Sequence, residues 1–205
     1  MFFQRMLQLA AYLKKLQEKL NIESIISIGV DDGKIPPKNL IQRKALLTAV
    51  KLKGFSIDNV FLTEITVDGL DATTALIKLL KGKIFDLIFL SGVSFAGFNL
   101  IDVKELFNAL NKPVIIVADE KPDNLAVKKA LKLHFKDWVK RWRIVKKLGR
   151  LYRVKIGLYK NPLYFEVSGI HHRKARELIR AFSLFSKAPE PVRIARIIAR
   201  GLSDY

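Results

Sequence analysis

Aspartates that follow apolar segments are the residues of this 205-residue sequence best suited to do chemistry. Asp31 and Asp32 come directly after the apolar segment 25–30, and Asp68 and Asp71 follow the apolar segment 60–67. Carboxylates delivered at strand ends are hard oxygen ligands, which divalent cations such as Mg²⁺ prefer. The sequence therefore predicts a metal-binding edge where these strands end.

Each aspartate alone also has a purely structural interpretation. Asp32-Gly33 and Asp68-Gly69 are typical of turns, while Asp71 and Asp102 are suited to begin helices. The metal-site interpretation therefore depends on the convergence of the aspartates at one place in the fold.

The elements that must position these aspartates alternate between strands and helices along the chain. Predicted strands lie at 25–30, 44–52, 60–67, 85–90 and 114–117. Helices are expected at about 71–80 and 102–110. This alternation is typical of an α/β fold whose sheet contains parallel strands, and such sheets place their chemistry at the carboxyl ends of those strands.

Positive charge is concentrated in the last third of the chain. Residues 121–205 hold 22 of the 37 lysines and arginines but 6 of the 19 aspartates and glutamates. This asymmetry favours a polyanionic partner, first of all nucleic acid, although a solvated lysine-rich surface would show the same composition. The predicted phosphate contacts fall on two helical segments and comprise Lys129, Lys132, Lys136, Lys140, Arg143, Lys147, Arg193, Arg196 and Arg200.

The spacing of the first six of these cations predicts one stripe along a single helix. Phe135, Trp138 and Trp142 recur on another face of that helix, where packing in the core is a more common role than stacking on bases. A separate amphipathic helix is expected over about residues 3–20, and it must bury its apolar face on the body or against a second copy. Residues 1–24 are therefore taken as an N-terminal helical unit and 25–205 as the main domain.

The composition excludes several classes of function. Without cysteine the chain has no disulfide, thiol nucleophile or cysteine-bound zinc. The longest nearly uncharged stretch, 87–101, is shorter than the roughly 20 residues needed to cross a bilayer. The N-terminus lacks the layout of a signal peptide. We therefore expect a soluble cytoplasmic protein without a membrane partner.

Six motifs, in this order, together resemble an archaeal family known as domain of unknown function 99 or endonuclease dU. They are the segments 29–33, 66–73, 92–99, 112–115, 121–122 and 189–195. The resemblance extends from about residue 25 to the C-terminus. It implies an α/β, ribonuclease-H-like fold with a mixed five-stranded sheet flanked by helices, to which this chain adds the N-terminal helix and a basic helical C-terminal part.

That family is similar to endonuclease V, so the resemblance also implies magnesium-dependent cleavage of DNA with deaminated bases. The implied catalytic residues are Asp31, Asp32, Asp68 and Asp71. Asp31 and Asp71 are the expected ligands of Mg²⁺ or Mn²⁺, with Asp32 and Asp68 as further ligands or their supports. Ser91 stands where a third acidic position is expected, and a neutral hydroxyl is a poor replacement for an anionic ligand.

Two functions follow as hypotheses. One is a metal-dependent endonuclease on deoxyuridine-type lesions, weakened by Ser91. The other is a non-catalytic nucleic-acid-binding relative of the same fold, with the N-terminal helix as a candidate homo-oligomer contact. The loop after the strand 85–90 is a candidate base pocket, with lining residues Ser91, Phe95, Phe98 and Asn99.

Overall fold

A computed structural model describes residues 2–37 and 43–203 of the chain. The helices are α1 (Phe2–Leu20), α2 (Ala72–Leu80), α3 (Val103–Leu110), α4 (Asn124–His134), α5 (Trp138–Lys146), α6 (His172–Phe182) and α7 (Glu190–Gly201). The strands are β1 (Ile26–Asp32), β2 (Lys44–Lys53), β3 (Ser56–Thr66), β4 (Leu87–Leu90), β5 (Ser94–Phe95), β6 (Asn99–Leu100), β7 (Val114–Ala118), β8 (Tyr152–Val154) and β9 (Leu163–Ser168). Two adjacent prolines, Pro36 and Pro37, exclude regular structure just after β1, and the chain there is described as far as Pro37.

The strands form one mixed sheet of seven in the order β3-β2-β1-β4-β7-β9-β8, while β5 and β6 form a separate hairpin. β1, β4 and β7 are parallel, and β2 is antiparallel to both β1 and β3. β3 therefore runs in the same direction as β1. The mixed sheet is confirmed, and β9 and β8 extend it beyond the expected five strands.

Because β1, β3, β4 and β7 run in one direction, their carboxyl ends lie at the same end of the sheet. We call this the acidic end. Asp31 and Asp32 close β1, Asp68 follows β3, and Asp119 follows β7. The prediction that the strands ending near Val30, Val67 and Leu90 belong to one sheet is confirmed.

Each face of the sheet is covered by helices because strand residues alternate between two apolar cores. Ile28, Val30 and Leu90 pack with residues of α2 and α3 on one face. Phe89 and Phe165 pack with α6 and the last turns of α1 on the other. Both faces of β1 and β4 are buried, as continuous apolar strands require.

Helix α7 lies directly on β1 because residue 29 has no side chain. A Cβ atom at Gly29 would lie 1.9 Å from the carbonyl oxygen of Pro191, in the first turn of α7. The helix is amphipathic, and Val192, Ala195 and Ala199 face the sheet. This close approach is what brings the arginines of α7 to the acidic end.

Helix α1 packs on α6 through its C-terminal half. Leu16 and Leu20 are buried there, and the Lys19 ammonium lies 2.9 Å from the Glu177 carboxylate. Nearer the N-terminus, Met6 and Tyr12 are exposed. The body of the protein therefore covers part of the apolar face of α1. A role for the remainder in oligomer formation stays a prediction.

The expected single helix through the basic segment is wrong. Phe135 adopts an extended conformation that ends α4, and α5 begins three residues later. The break allows the Phe135 ring to pack on Phe98, with ring centroids 5.4 Å apart. The aromatic residues are half-buried between α4 and α5, and Lys128 and Lys132 lie over the rings of Trp142 and Trp138.

Among the described residues, no helix has both the length and the apolarity to span a membrane.

Candidate active site

Asp31 is buried between the acidic end and α7. Its Oδ2 atom accepts a hydrogen bond from Arg196 Nε at 2.8 Å. Arg196 Nη1 also lies 3.9 Å from Asp119 Oδ2. One arginine therefore joins two carboxylates that come from β1 and from the end of β7. Arg196 was predicted to contact phosphates. It lies within this acidic group, and its contact with a phosphate stays a prediction.

Ser91 lies beside Asp31 at the end of β4. Val30 and Leu90 are register partners in the parallel pair β1–β4, and the Ser91 amide donates to the Val30 carbonyl at 3.2 Å. Since Val30 and Leu90 face the α2–α3 core, strand alternation directs the next residue of each strand toward the opposite face, which α6 and α7 cover and which we call the α7 face. Asp119, after β7, brings a second carboxylate to that face, where it lies near Arg196.

Asp32 contacts the β5–β6 hairpin. Its Oδ2 atom accepts a hydrogen bond from the Ala96 amide at 2.5 Å. Burial raises the pKa of the Asp32 carboxyl to about 6, the Ala96 hydrogen bond opposes this rise, and the charge of Asp31 reinforces it. A cation bound beside Asp32 would favour the ionised form of its carboxyl.

Asp68 holds the same hairpin from the β3 side. Its carboxylate accepts from the Phe98 amide at 2.9 Å, and its own amide donates to the Ala96 carbonyl at 2.8 Å. The residue has a positive φ of 59°, which is uncommon for a side chain other than glycine. Gly97 is required beside it, because a Cβ atom there would lie 2.2 Å from Asp68 Oδ1.

The Asp71 carboxylate is surrounded by hydrogen-bond donors. Its carboxylate accepts from the amide and hydroxyl of Thr66 and from the side-chain amide of Asn99. Burial disfavours its ionisation, but the bonds from Asn99 and Thr66 outweigh this effect and lower its pKa. Asn99 is fully buried and also accepts from the Ala72 amide at 3.0 Å. It orders the aspartate loop and the start of α2.

The four residues predicted to line a base pocket do not share one cavity in the structure. Phe95 is buried in the core, and Asn99 is fully engaged with Asp71 and Ala72. Of the four proposed lining residues, Phe98 alone lines an apolar cavity of about 110 Å³ between the sheet, α4 and α5. Gly92, Val93 and Ser94 line it from the same loop, while Ser91 lies outside it.

Arg141 is a positioning residue that sequence reasoning missed. It is buried, and its guanidinium donates to the carbonyls of Asp68, Gly69 and Phe98 at 2.7–2.9 Å. Its Nε atom also donates to Asp137 Oδ1 at 2.9 Å. Arg141 thereby ties the loop after β3 to the β5–β6 hairpin. Arg141 is one of many cations in this basic segment, so its type and spacing gave no signal of this role.

The predicted phosphate contacts divide into exposed and engaged cations. Lys129, Lys132, Lys136, Lys140 and Arg143 are exposed on α4, on α5 and in the break between them. Lys147 is exposed but contacts the Asp102 carboxylate, and Arg193 binds the buried Glu190. Arg200 is exposed near the end of α7. A second cationic cluster was not predicted: Lys121, Arg150, Arg153 and Arg176 line one cavity of about 400 Å³.

The described residues contain no group of three or more His, Asp and Glu side chains close enough to hold a metal ion by themselves. The pair Asp31–Asp32 still fits a divalent cation. Mg²⁺ usually takes one or two protein carboxylates and completes its shell with water and substrate phosphates. The raised pKa of Asp32 marks the place where such a charge would be stabilising.

Comparison with solved structures establishes the class of fold. An endonuclease V of Ciona intestinalis, solved with a DNA that contains inosine, superposes with a TM-score of 0.55 at 14% identity, over 94% of this chain and 95% of that one. A protein of unknown function from Archaeoglobus fulgidus superposes with a TM-score of 0.77 at 26% identity, over 88% and 99% of the two chains. The protein therefore has the fold of endonuclease V.

Sequence comparison is more specific. Residues 23–203 match the family described as Endonuclease dU. A UPF0215 protein of Methanothermobacter thermautotrophicus is 36% identical over 181 residues, which cover 86% of each chain. Its counterpart in Pyrococcus furiosus is 38% identical over 176 residues, or 84% of this chain and 89% of the other. The chain belongs to the Endonuclease dU family.

Proposed function

We propose that this protein is a divalent-metal-dependent endonuclease that cleaves DNA next to deaminated bases such as deoxyuridine. The observation that carries the proposal is the position of Asp31 and Asp32 at the end of β1, where Arg196 also joins Asp31 to Asp119. Membership of the Endonuclease dU family and the endonuclease V fold support the same function. Asp68 and Asp71 lie in the adjacent loop and order it.

Asp31 and Asp32 would hold the ion, which when bound supplies an activated water and stabilises the leaving oxygen. Asp71 was the other expected ligand. Its carboxylate accepts hydrogen bonds from three donors of Thr66 and Asn99, and these bonds stabilise the loop. Its role as a ligand stays a prediction. Arg196 orients the Asp31 carboxylate, and its guanidinium is suited to bind a phosphate that approaches this end of the sheet.

A non-catalytic nucleic-acid-binding relative is the second candidate. Two observations favour it: Ser91 brings no charge to the end of β4, and Arg196 already contacts Asp31. Asp119 weakens this alternative because it brings a second carboxylate, besides Asp31, to the α7 face. Both candidates bind nucleic acid, so cleavage separates them.

The test is cleavage of end-labelled duplexes of one sequence that contain deoxyuridine, deoxyinosine or thymidine at a single site. We expect nicks in the deoxyuridine duplex in Mg²⁺ or Mn²⁺, none in EDTA, and none in the thymidine duplex. Binding without cleavage of any duplex, in either metal, would assign the second candidate instead.

Nucleic-acid binding is expected to weaken steeply as salt rises. Each phosphate neutralised by a cation adds about 0.9 to the slope of log K against log salt on duplex DNA. Changing Lys136 and Lys140 to Glu should therefore reduce the slope by about 2 and weaken binding to all sequences alike. Fluorescence anisotropy titrations at several salt concentrations measure this.

The matched control is Lys53→Glu with Lys81→Glu. Both lysines are exposed at the opposite end of the sheet, Lys53 at the end of β2 and Lys81 before β4. The two double variants have the same net charge, so a slope that falls equally in both would mean that the α4–α5 cations contact no phosphate.

A further inference from the structure

Glu166 is a buried carboxyl that the proposed reaction does not use. It lies on β9 opposite Ile116 and is 9% exposed. Among the described residues, its Oε2 atom is one of four buried side-chain polar atoms with no hydrogen-bond partner. A buried carboxyl without a protein partner is costly, so a ligand that forms a hydrogen bond with Glu166 would gain affinity from that contact.

The carboxyl borders the cavity under α4 and α5. Apolar side chains from four elements enclose this cavity, among them Val93, Phe98, Ile116, Val127 and Val145. Its volume is about 110 Å³. An apolar protein cavity of about 150 Å³ accepts one benzene ring, so this smaller space excludes two fused rings and accepts one ring at most.

The surroundings of the cavity favour a nucleotide over an uncharged aromatic compound. Tyr164 and Leu151 line this cavity and also line the cationic cavity beside it. The four cations of that neighbour, Lys121, Arg150, Arg153 and Arg176, have no carboxylate partner among the described residues. A base in the apolar cavity would therefore place its own or an adjacent phosphate near a strongly positive surface.

We propose that this cavity binds a single-ring nucleobase turned out of the nucleic-acid strand and that the Glu166 carboxyl reads the edge of the base. The inference rests on the proposed function and adds to it a residue that contacts the base. A neutral carboxyl offers one donor and one acceptor, which match a base edge with an N–H group beside a carbonyl, as in uracil. An ionised carboxylate offers acceptors alone and repels that carbonyl.

Burial raises the pKa of Glu166 to about 7. The carboxyl is therefore neutral at pH 6 and ionised at pH 8.5. Tyr164 is the other titratable side chain that lines the cavity, and the charged groups of the adjoining cavity are its four cations. Recognition of the base should thus be strong at pH 6 and decline as the pH rises through 7.

The experiment compares the binding of oligonucleotides that differ at one position, which holds deoxyuridine, deoxyinosine or an abasic analogue. Ca²⁺ replaces Mg²⁺ to suppress cleavage. For the wild type at pH 6 we expect about tenfold tighter binding of deoxyuridine than of the abasic oligonucleotide, the range of one bidentate base contact. This preference should shrink severalfold at pH 8.5. Deoxyinosine, with the same edge on two rings, should bind more weakly than deoxyuridine.

Three variants locate the effect. Glu166→Gln keeps one donor and one acceptor at every pH, so its preference should persist at pH 8.5. Glu166→Leu should bind deoxyuridine and the abasic oligonucleotide alike at both pH values. Glu64→Gln removes an exposed carboxylate on β3 and should behave as the wild type. Circular dichroism melting confirms that each variant is folded.

Equal preference for deoxyuridine in the wild type and in Glu166→Leu would overturn the role of Glu166. Equal binding of deoxyinosine and deoxyuridine would overturn the single-ring assignment. In both cases, binding that still depends on salt and cleavage that still needs metal would leave the proposed function intact. Failure of the wild type to bind any oligonucleotide would overturn both.

Discussion

Replacement of Asp31 with Asn is expected to abolish cleavage while the protein remains folded. The substitution removes the charge of the carboxylate that closes β1 and is bound by Arg196. A neutral amide holds a divalent cation far less firmly than a carboxylate, so we expect a loss on the order of 10³-fold or more in the single-turnover cleavage rate. Asn has the same shape, and its introduction relieves the repulsion between Asp31 and Asp32.

The matched control is Asp58→Asn. Asp58 is an exposed carboxylate in β3, near the turn from β2, and it pairs with Lys51 at 2.8 Å. Its loss should leave the cleavage rate unchanged. Comparable activity of Asp31→Asn and Asp58→Asn would show that Asp31 does no chemistry.

Among the proposed variants, Gly29→Ala is expected to lose the most stability. In Gly29→Ala the new Cβ atom would lie 1.9 Å from the Pro191 carbonyl oxygen and 2.8 Å from its Cα atom. Both are backbone atoms, so α7 must move away from β1. We expect the free energy of unfolding to fall by about 3 kcal/mol or more, the upper range for overpacked cores. Urea unfolding followed by circular dichroism measures it.

Gly201→Ala serves as the control for this substitution. A Cβ atom there meets no atom within 4 Å, and alanine favours helix, so the stability should stay the same or rise slightly. The activity of Gly29→Ala should also fall, because displacement of α7 carries Arg196 away from Asp31. A stability equal to that of the wild type would mean that α7 does not lie on β1.

Local patterns predicted much of the sheet. The segments 25–30 and 114–117 are apolar because both faces of β1 and β7 are covered, whereas 60–67 belongs to the partly exposed edge strand β3. Each of the three segments is followed by an acid at or near its end. Their common direction then brings Asp31, Asp68 and Asp119 to one end. Periodicity and strand direction suffice for this inference, since neither depends on distant contacts.

Contacts between distant parts of the chain account for what the sequence did not reveal. Arg196 meets Asp31 across 165 residues, so its helical spacing alone favoured a solvent-facing cation. The helix break at Phe135 exists because its ring packs on Phe98. Glu166 did leave a signal: it is a lone carboxyl between Phe165 and Val167 in an otherwise apolar strand. That Glu166 has no partner depends on the cavity walls, which distant segments of the chain supply.

Mn²⁺ binding, followed by electron paramagnetic resonance, tests most directly whether the acidic end is a metal site. We expect the wild type to bind Mn²⁺ and Asp31→Asn to lose that binding. Ser91→Asp should bind the ion more tightly, because its added carboxylate stands beside Asp31 at the end of β4. Identical Mn²⁺ titrations of the wild type, Asp31→Asn and Ser91→Asp would contradict a catalytic metal at this end of the sheet.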